Sequence, residues 1–347
     1  MTILERKRCS STRLVAAKRP IDPLIRLLIG VFTLLAGTGF RVSEYNTSCD
    51  AHHLAELPLG SPILKFVTRS ERLLGFVAGI PLLRSFLVYR ADAISELRNA
   101  AVRDYVHRTF FTSNATSKET SAGRFWDLDQ IARTIITAHK LDSIHDIGVS
   151  SGITSLDLYR TLSASGIPCK FLISDKYAVY GSTGRYPTRI VDADGAVTEL
   201  YFCGLLGKRA VSNKFPVTRL LHWLLADRPL HGPIRRFVLF DPQVLPYLEN
   251  GLIHRIDYDV FTTRMPCAFS FVRCMNLLNL CYFPREPIQT ALRNIIESLK
   301  EGGVLQIGRT LPDRTSHATF YVKLGARLEV LQQVGGGTEL REVIEQL

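Results

Sequence analysis

From residue 125 onward the apolar positions switch between two periods. Leu128, Ile131, Ile135 and Ile136 fall at helical spacing and predict a helix over 127–139. It runs directly into an apolar strand, Ile144-His145-Asp146-Ile147, followed by Gly148 and Gly152 and a helix start at Thr154. Glycine lets the backbone turn tightly there and lets a ligand approach closely. The helix stops at Gly166-Ile167-Pro168, and Cys169 to Asp175 reads as a second strand closed by an acid. Ile190 to Phe202 is a hairpin signal around Asp194-Gly195. Further strands are predicted at Phe237–Asp241, at Gly251–Phe261 leading to Asp259, and from Phe269 on. A short helix near 244–249 separates the first two. A helix over 287–299 and the turn Lys300-Glu301-Gly302-Gly303 lead to the strand Val304–Gly308. His317–Leu324 and Arg327–Val334, joined at Gly325, predict an antiparallel pair at the edge of an otherwise parallel sheet.

The first 120 residues follow another pattern. Leu27 to Phe40 is an uninterrupted apolar run behind a basic flank, shorter than the about 20 residues that a spanning helix needs. Three readings stay open for residues 24–40: a buried helix of a helical N-terminal region, membrane association, or a cleaved signal. Leu73 to Tyr89 is apolar but carries Pro81 and Arg84, and Asp92 to Phe110 has amphipathic helical spacing. Residues 112–122 are polar and read as a linker. The organisation expected is a basic, partly apolar helical region over 1–120 and an α/β domain over 121–347 with an insertion at about 178–235. Within the insertion, Leu220 to Leu225 is an apolar patch suited to an active-site mouth or a membrane face.

Composition narrows the classes. Hydrophobic residues make up 46% and charged residues 22%, which is globular. The net charge is +11, and residues 1–110 hold 16 basic against 9 acidic residues. No dense basic cluster is interleaved with aromatics, which argues against nucleic acid and leaves an anionic membrane surface as a partner for the N-terminal region. The seven cysteines form no CxxC pair and the nine histidines are scattered, so no metal site is expected. Unpaired thiols suit a reducing compartment, and the expected location is cytoplasmic, with membrane association one of the readings left open.

Asp175 lies 23 positions after Gly152. An acid at the tip of the second strand of a βαβ unit can accept both hydroxyls of a ribose, and Asp241 competes for that role. The whole order now resembles a class I S-adenosylmethionine-dependent methyltransferase, with a Rossmann-like, seven-stranded, mostly parallel sheet and a C-terminal antiparallel hairpin. Arg273-Cys274-Met275-Asn276-Leu277-Leu278, Tyr282-Phe283 and the Lys-x-Gly-Gly turn are similar to the chemotaxis-receptor glutamate methyltransferase branch. The resemblance covers about 125–347, and Ser150 stands where that family has its middle glycine. It implies S-adenosylmethionine as cofactor, with Asp146, Gly148, Ser150 and Gly152 at its methionine end and the loop amides facing it. It further implies Asp175 or Asp241 on the ribose, Asp259 at the adenine, and Arg273 and Asn276 lining a methyl-transfer pocket. The acceptor, a protein carboxylate or a small molecule, is not specified. Two rivals are an NAD-type Rossmann oxidoreductase and a non-catalytic membrane-associated binding protein.

Overall fold

The computed structural model describes residues 91–96, 103, 107, 110, 120–183, 188–202, 205–208, 233–311 and 313–347, all within one compact unit, Thr47–Leu347. The expectations for the apolar runs at 24–40, 73–89 and 220–225 and for the linker at 112–119 lie outside these residues. Where a helix over 92–110 is expected, the described residues include a 3-10 helix, Ala91–Glu96.

The elements follow in chain order: α1 (Trp126–Ala138), β1 (Ser143–Ile147), α2 (Ile153–Ala164), β2 (Lys170–Ser174), β3 (Val179–Ser182), β4 (Thr188–Val191), β5 (Val197–Phe202), β6 (Leu205–Lys208) and β7 (Arg235–Val238). After them come α3 (Leu245–Glu249), β8 (His254–Ile256), β9 (Phe269–Met275), α4 (Arg285–Ser298), β10 (Leu299–Thr310), β11 (Ser316–Leu324), β12 (Arg327–Val334) and α5 (Arg341–Ile344).

The main sheet has seven strands in the order β12-β11-β10-β9-β1-β2-β8. From β8 to β10 neighbouring strands are parallel, while β11 and β12 add an antiparallel meander. This is the Rossmann-like architecture expected from the sequence. Its parallel part runs third-second-first-fourth-fifth in chain order, so the strand order reverses between β1 and β9. In open α/β sheets ligands bind at that switch point, outside the carboxyl ends of the strands.

Strand period 2 divides the core. Phe271 and Val304 face a cluster with Leu128 and Ile136 of α1 and Leu156 of α2. Their neighbours Val272 and Leu305 face a second cluster with Ile288, Leu292 and Ile295 of α4 and Val343 of α5. The sheet is thus covered on both faces, which is why all residues of β1 and β9 are buried.

The insertion between β2 and β8 forms a second, antiparallel sheet, β6-β5-β4-β3-β7. The Asp194-Gly195 hairpin sits in it, with Gly195 at φ 79° and Asp192 accepting the amides of Asp194 and Ala196. The strand read at Phe237–Asp241 is β7, which pairs with β3 in this sheet. The third strand of the main sheet is β8.

Candidate functional site

The loop leaving β1 is built from alternating left-handed residues: Gly148 at φ 72°, Ser150 at 57° and Gly152 at 75°. Two of the three are glycines, for which this conformation carries no Cβ penalty, and Ser150 adopts it at a cost. Gly148 also lacks room for a side chain, since a Cβ there would lie 3.0 Å from Leu277 Cδ2.

The loop folds back on β2. Gly148 N and Val149 N both donate to Ser174 O, at 2.8 and 3.2 Å, and Gly152 N donates to Val149 O at 2.8 Å. Ser150 N donates to Asp175 Oδ2 at 2.8 Å, and Asp175 Oδ1 takes the amide of Tyr177 at 2.8 Å. The loop amides expected to face a cofactor are therefore spent within the protein. No side chain caps α2, whose N-cap is Gly152, so its first turn has no side-chain partner for its amides.

Beneath the loop lies a buried ion network. Arg273 of β9 donates through Nη1 to Asp129 of α1 at 2.8 Å, and through Nη2 to Asp146 of β1 and to the Thr154 carbonyl of α2. Ser155 Oγ also donates to Asp146, at 2.6 Å. Arg273 is 1% exposed, and Asp146 and Arg273 both lie outside the cavity lining. Neither side chain is placed to touch a ligand. They lock α1, β1, β9 and the first turn of α2 together, and so position the loop. With two carboxylates around one guanidinium, burial pushes Asp129 up to about 7 against the attraction of Arg273. Burial also works against the charge of Arg273, but Asp146 and Asp129 outweigh it and hold the guanidinium above its ordinary value.

Next to Asp146, the fully buried His145 bonds Ser174 Oγ through Nε2 at 2.7 Å and stacks edge-on to Tyr258. Burial lowers its pKa to about 4, despite the neighbouring Asp146, so the ring is neutral.

A cavity of about 1170 Å³ opens where these strands end. It exceeds the range of about 300–1,000 Å³ typical of ligand clefts, leaving space beyond one small molecule. Gly148, Ser150, Asp175, Asp259 and Asn276 of the expected site residues line it. Asp259 accepts from Phe261 N and pairs with Lys176 at 3.2 Å. Partial burial opposes the charge of Lys176, but the hydrogen bond and charge of Asp259 raise its pKa. Asn276, at φ 58°, accepts Thr310 N at 2.7 Å and ties the ends of β9 and β10. Asp241 lies outside the lining, buried and paired with Arg103 at 3.1 Å. Of the two acids expected to compete for one role, only Asp175 faces the cavity.

Sequence reasoning missed several lining groups. One is Tyr258, whose Oη is buried without a hydrogen-bond partner, as is Oγ of the expected Ser150, and a buried orphan hydroxyl costs about 1–3 kcal/mol. Tyr258 directly precedes Asp259, which was the one available signal. Arg124, Arg309 and Arg314 line the opposite end, gathered from separate segments with no motif among them. Among the described residues no group of three His, Cys, Asp or Glu side chains could hold a metal, and no helix is long and apolar enough to cross a membrane.

No family model matches the chain, and no curated protein matches it. Among solved structures it is similar to N-methyltransferase NodS from Bradyrhizobium japonicum WM9, in complex with S-adenosyl-L-homocysteine, at 11% identity and TM-score 0.29, over 54% of this chain and 63% of that one. It is similar to Haemonchus contortus phosphoethanolamine N-methyltransferase 1, in complex with phosphoethanolamine and S-adenosylhomocysteine, at 11% identity and TM-score 0.28, over 70% and 34%. The cyclase SpnF gives 15% identity and TM-score 0.27, over 58% and 50%. Each match spans less than two thirds of the solved chain. Likeness at this level does not decide function, which has to come from the site itself.

Proposed function

We propose that the chain is a methyltransferase that binds S-adenosylmethionine at the β1, β2 and β8 end of the cavity and methylates an acceptor seated toward β10. The observation that carries this reading is a closed glycine loop beside acidic strand ends. A dinucleotide needs open backbone amides for its pyrophosphate. Here the amides of Gly148, Val149, Ser150 and Gly152 already have partners within the protein, while the first turn of α2 keeps amides without a side-chain cap. The loop is flanked by Asp175 and Asp259, which favour a cationic nucleoside over a diphosphate. This weighs against the NAD-type oxidoreductase.

Asp175 accepts the ribose hydroxyls from the cavity wall, with the amides of Ser150 and Tyr177 orienting its carboxylate. Asp259 accepts from the adenine amino group. Ser150 Oγ and Tyr258 Oη gain the partners they lack. When bound, S-adenosylmethionine supplies a methyl group on a sulfonium that is already a good leaving group. The chain's contribution is alignment and exclusion of water. Met275, Asn276 and Leu277 wall the middle of the cavity, and the bond from Thr310 N fixes Asn276 there. The acceptor is a small molecule or a protein carboxylate. Contact with an anionic membrane surface is proposed for the basic, apolar N-terminal region on its sequence alone.

Calorimetry on the full chain tests the cofactor. S-adenosylhomocysteine is expected to bind and NAD not to bind, and Asp175→Ala is expected to weaken S-adenosylhomocysteine tenfold or more. NAD binding in place of S-adenosylhomocysteine would reverse the assignment.

A further inference from the structure

The cavity is electrically two-ended. Its β2–β8 end carries Asp175 and Asp259, with Lys176 drawn onto Asp259. Its β10–β11 end carries Arg124, Arg309 and Arg314, and no acidic lining residue among the described residues. Arg309 is neutralised by Glu339, just outside the lining. Arg124 is anchored to the tip of β10 by its Nε, which donates to Thr310 Oγ1 at 3.2 Å, so its position is fixed relative to the strand end. Arg314 stands in the turn from Leu311 to Thr315, closed by Leu311 N to Thr315 O and Arg314 N to Leu311 O. The neighbouring acid, Asp313, takes both the amide and the hydroxyl of Thr315. Among the described residues Arg314 makes no ion pair. It also holds φ 70°, a conformation that glycine or asparagine adopts more cheaply, so the turn keeps an arginine at some backbone cost.

We infer that the methyl acceptor is a small molecule bearing a phosphate or carboxylate, and that this anion docks on Arg314 at the β10–β11 end. This rests on the cofactor occupying the acidic end. The Arg314 guanidinium is a planar donor fork that matches either anion. The volume exceeds what one ligand needs, so both molecules fit in one enclosure, the cationic cofactor over the acids and the anionic acceptor over Arg314. The anion serves as an anchor and sets which end of the acceptor enters first. The net charge of +11 raises the local concentration of such a molecule.

The test is ligand-observed NMR on the full chain saturated with S-adenosylhomocysteine, using phenyl phosphate, benzoate and the neutral benzyl alcohol as probes. At least one anion is expected to bind tenfold or more tightly than benzyl alcohol. Phenyl phosphate leading points to a phosphate anchor, and benzoate leading to a carboxylate anchor. In Arg314→Gln the preferred anion is expected to lose tenfold or more in affinity relative to S-adenosylhomocysteine in the same variant. Arg314→Gly, which relieves the backbone, is expected to lose as much, which separates the guanidinium from the turn. Saturation by S-adenosylhomocysteine with no preference for anions, or a preference that survives both variants, overturns this inference alone. Anion binding that depends on Arg314 in a chain that does not bind S-adenosylhomocysteine overturns the cofactor reading and leaves the anion site standing.

Discussion

Ser150 concentrates the compromise in the site. It occupies a left-handed position between two left-handed glycines, and its hydroxyl is buried without a partner. Both features cost stability in the unliganded chain, each on the order of 1 kcal/mol. Ser150→Gly removes both and adds back some unfolded-state entropy. The expected result is a gain of about 1 kcal/mol by urea denaturation. The same variant is expected to lose up to about tenfold in S-adenosylhomocysteine affinity, because the hydroxyl is proposed to donate to the ligand. A serine at the middle position is visible in the sequence. That it retains a glycine's backbone angle, and so keeps its amide on Asp175, is visible only once β1 and β2 are side by side. Asp175 itself was legible because its spacing from the loop follows from local geometry. Arg273 was legible as a residue of importance but not in its role. A cation beside a loop reads as lining, and its burial depends on Asp129, which the chain supplies 144 residues away.

At the scale of elements, the Asp129–Arg273–Asp146 network and His145 set how the packing of α1, β1 and β9 responds to pH. Their signs oppose. His145 has a folded pKa of about 4, below its ordinary 6.5, so between those values the unfolded chain binds the extra proton. Its contribution is complete above 6.5 and is lost as pH falls toward 4. Asp129 has a folded pKa of about 7, above its ordinary 3.8, so over that window the folded chain holds the extra proton. Its contribution is complete below 3.8 and is lost as pH rises toward 7. In their shared window the two slopes offset, and the parent protein is expected to show a nearly flat urea midpoint. Asp129→Asn keeps an acceptor for Arg273 but removes one slope. Its stability is expected to fall between pH 6.5 and 4 by on the order of 3 kcal/mol. A flat profile in that variant would mean that His145 titrates normally. Periodicity made most of these elements legible, because burial on two faces gives a long apolar run whatever the register. The second sheet was not, since a hairpin signal does not say which sheet receives the strands. The apolar run over 237–240 reads as a main-sheet strand, yet the strand that forms there, β7, pairs with β3.

At the scale of the molecule, the question is where the folding unit begins. A boundary at 120 follows the polar stretch in the sequence. Contacts cross it: Arg103 pairs with Asp241, Asp92 accepts from Ser182 Oγ at 2.7 Å, and Phe110 meets Tyr180 edge-on at 4.8 Å between ring centres. We propose that the unit starts near Thr47, where the compact unit does. A chain starting at Ser121 leaves Asp241 buried without Arg103, which costs about 3–5 kcal/mol. Such a chain is expected to melt about 6–20 °C below one starting at Thr47, at roughly 2–4 °C per kcal/mol for a chain of this size. The same Thr47 chain tests the membrane proposal. The full chain is expected to co-sediment with anionic vesicles and the shorter one to remain in solution.

The insertion between β2 and β8 has a consequence for the order of assembly. β10 to β12 pair with near neighbours in the chain, and β9, though distant from β1, is held by strands on both sides, whereas β8 is an edge strand that meets β2 over three residues across about 80 residues of chain. Local pairings form early, and distant ones form late and open first. Amide exchange in β8 is therefore expected to be faster than in any other strand of the main sheet. The wall that presents Asp259 would be the last part of the site to form and the first to loosen, and a ligand bridging Asp175 and Asp259 would slow its exchange most.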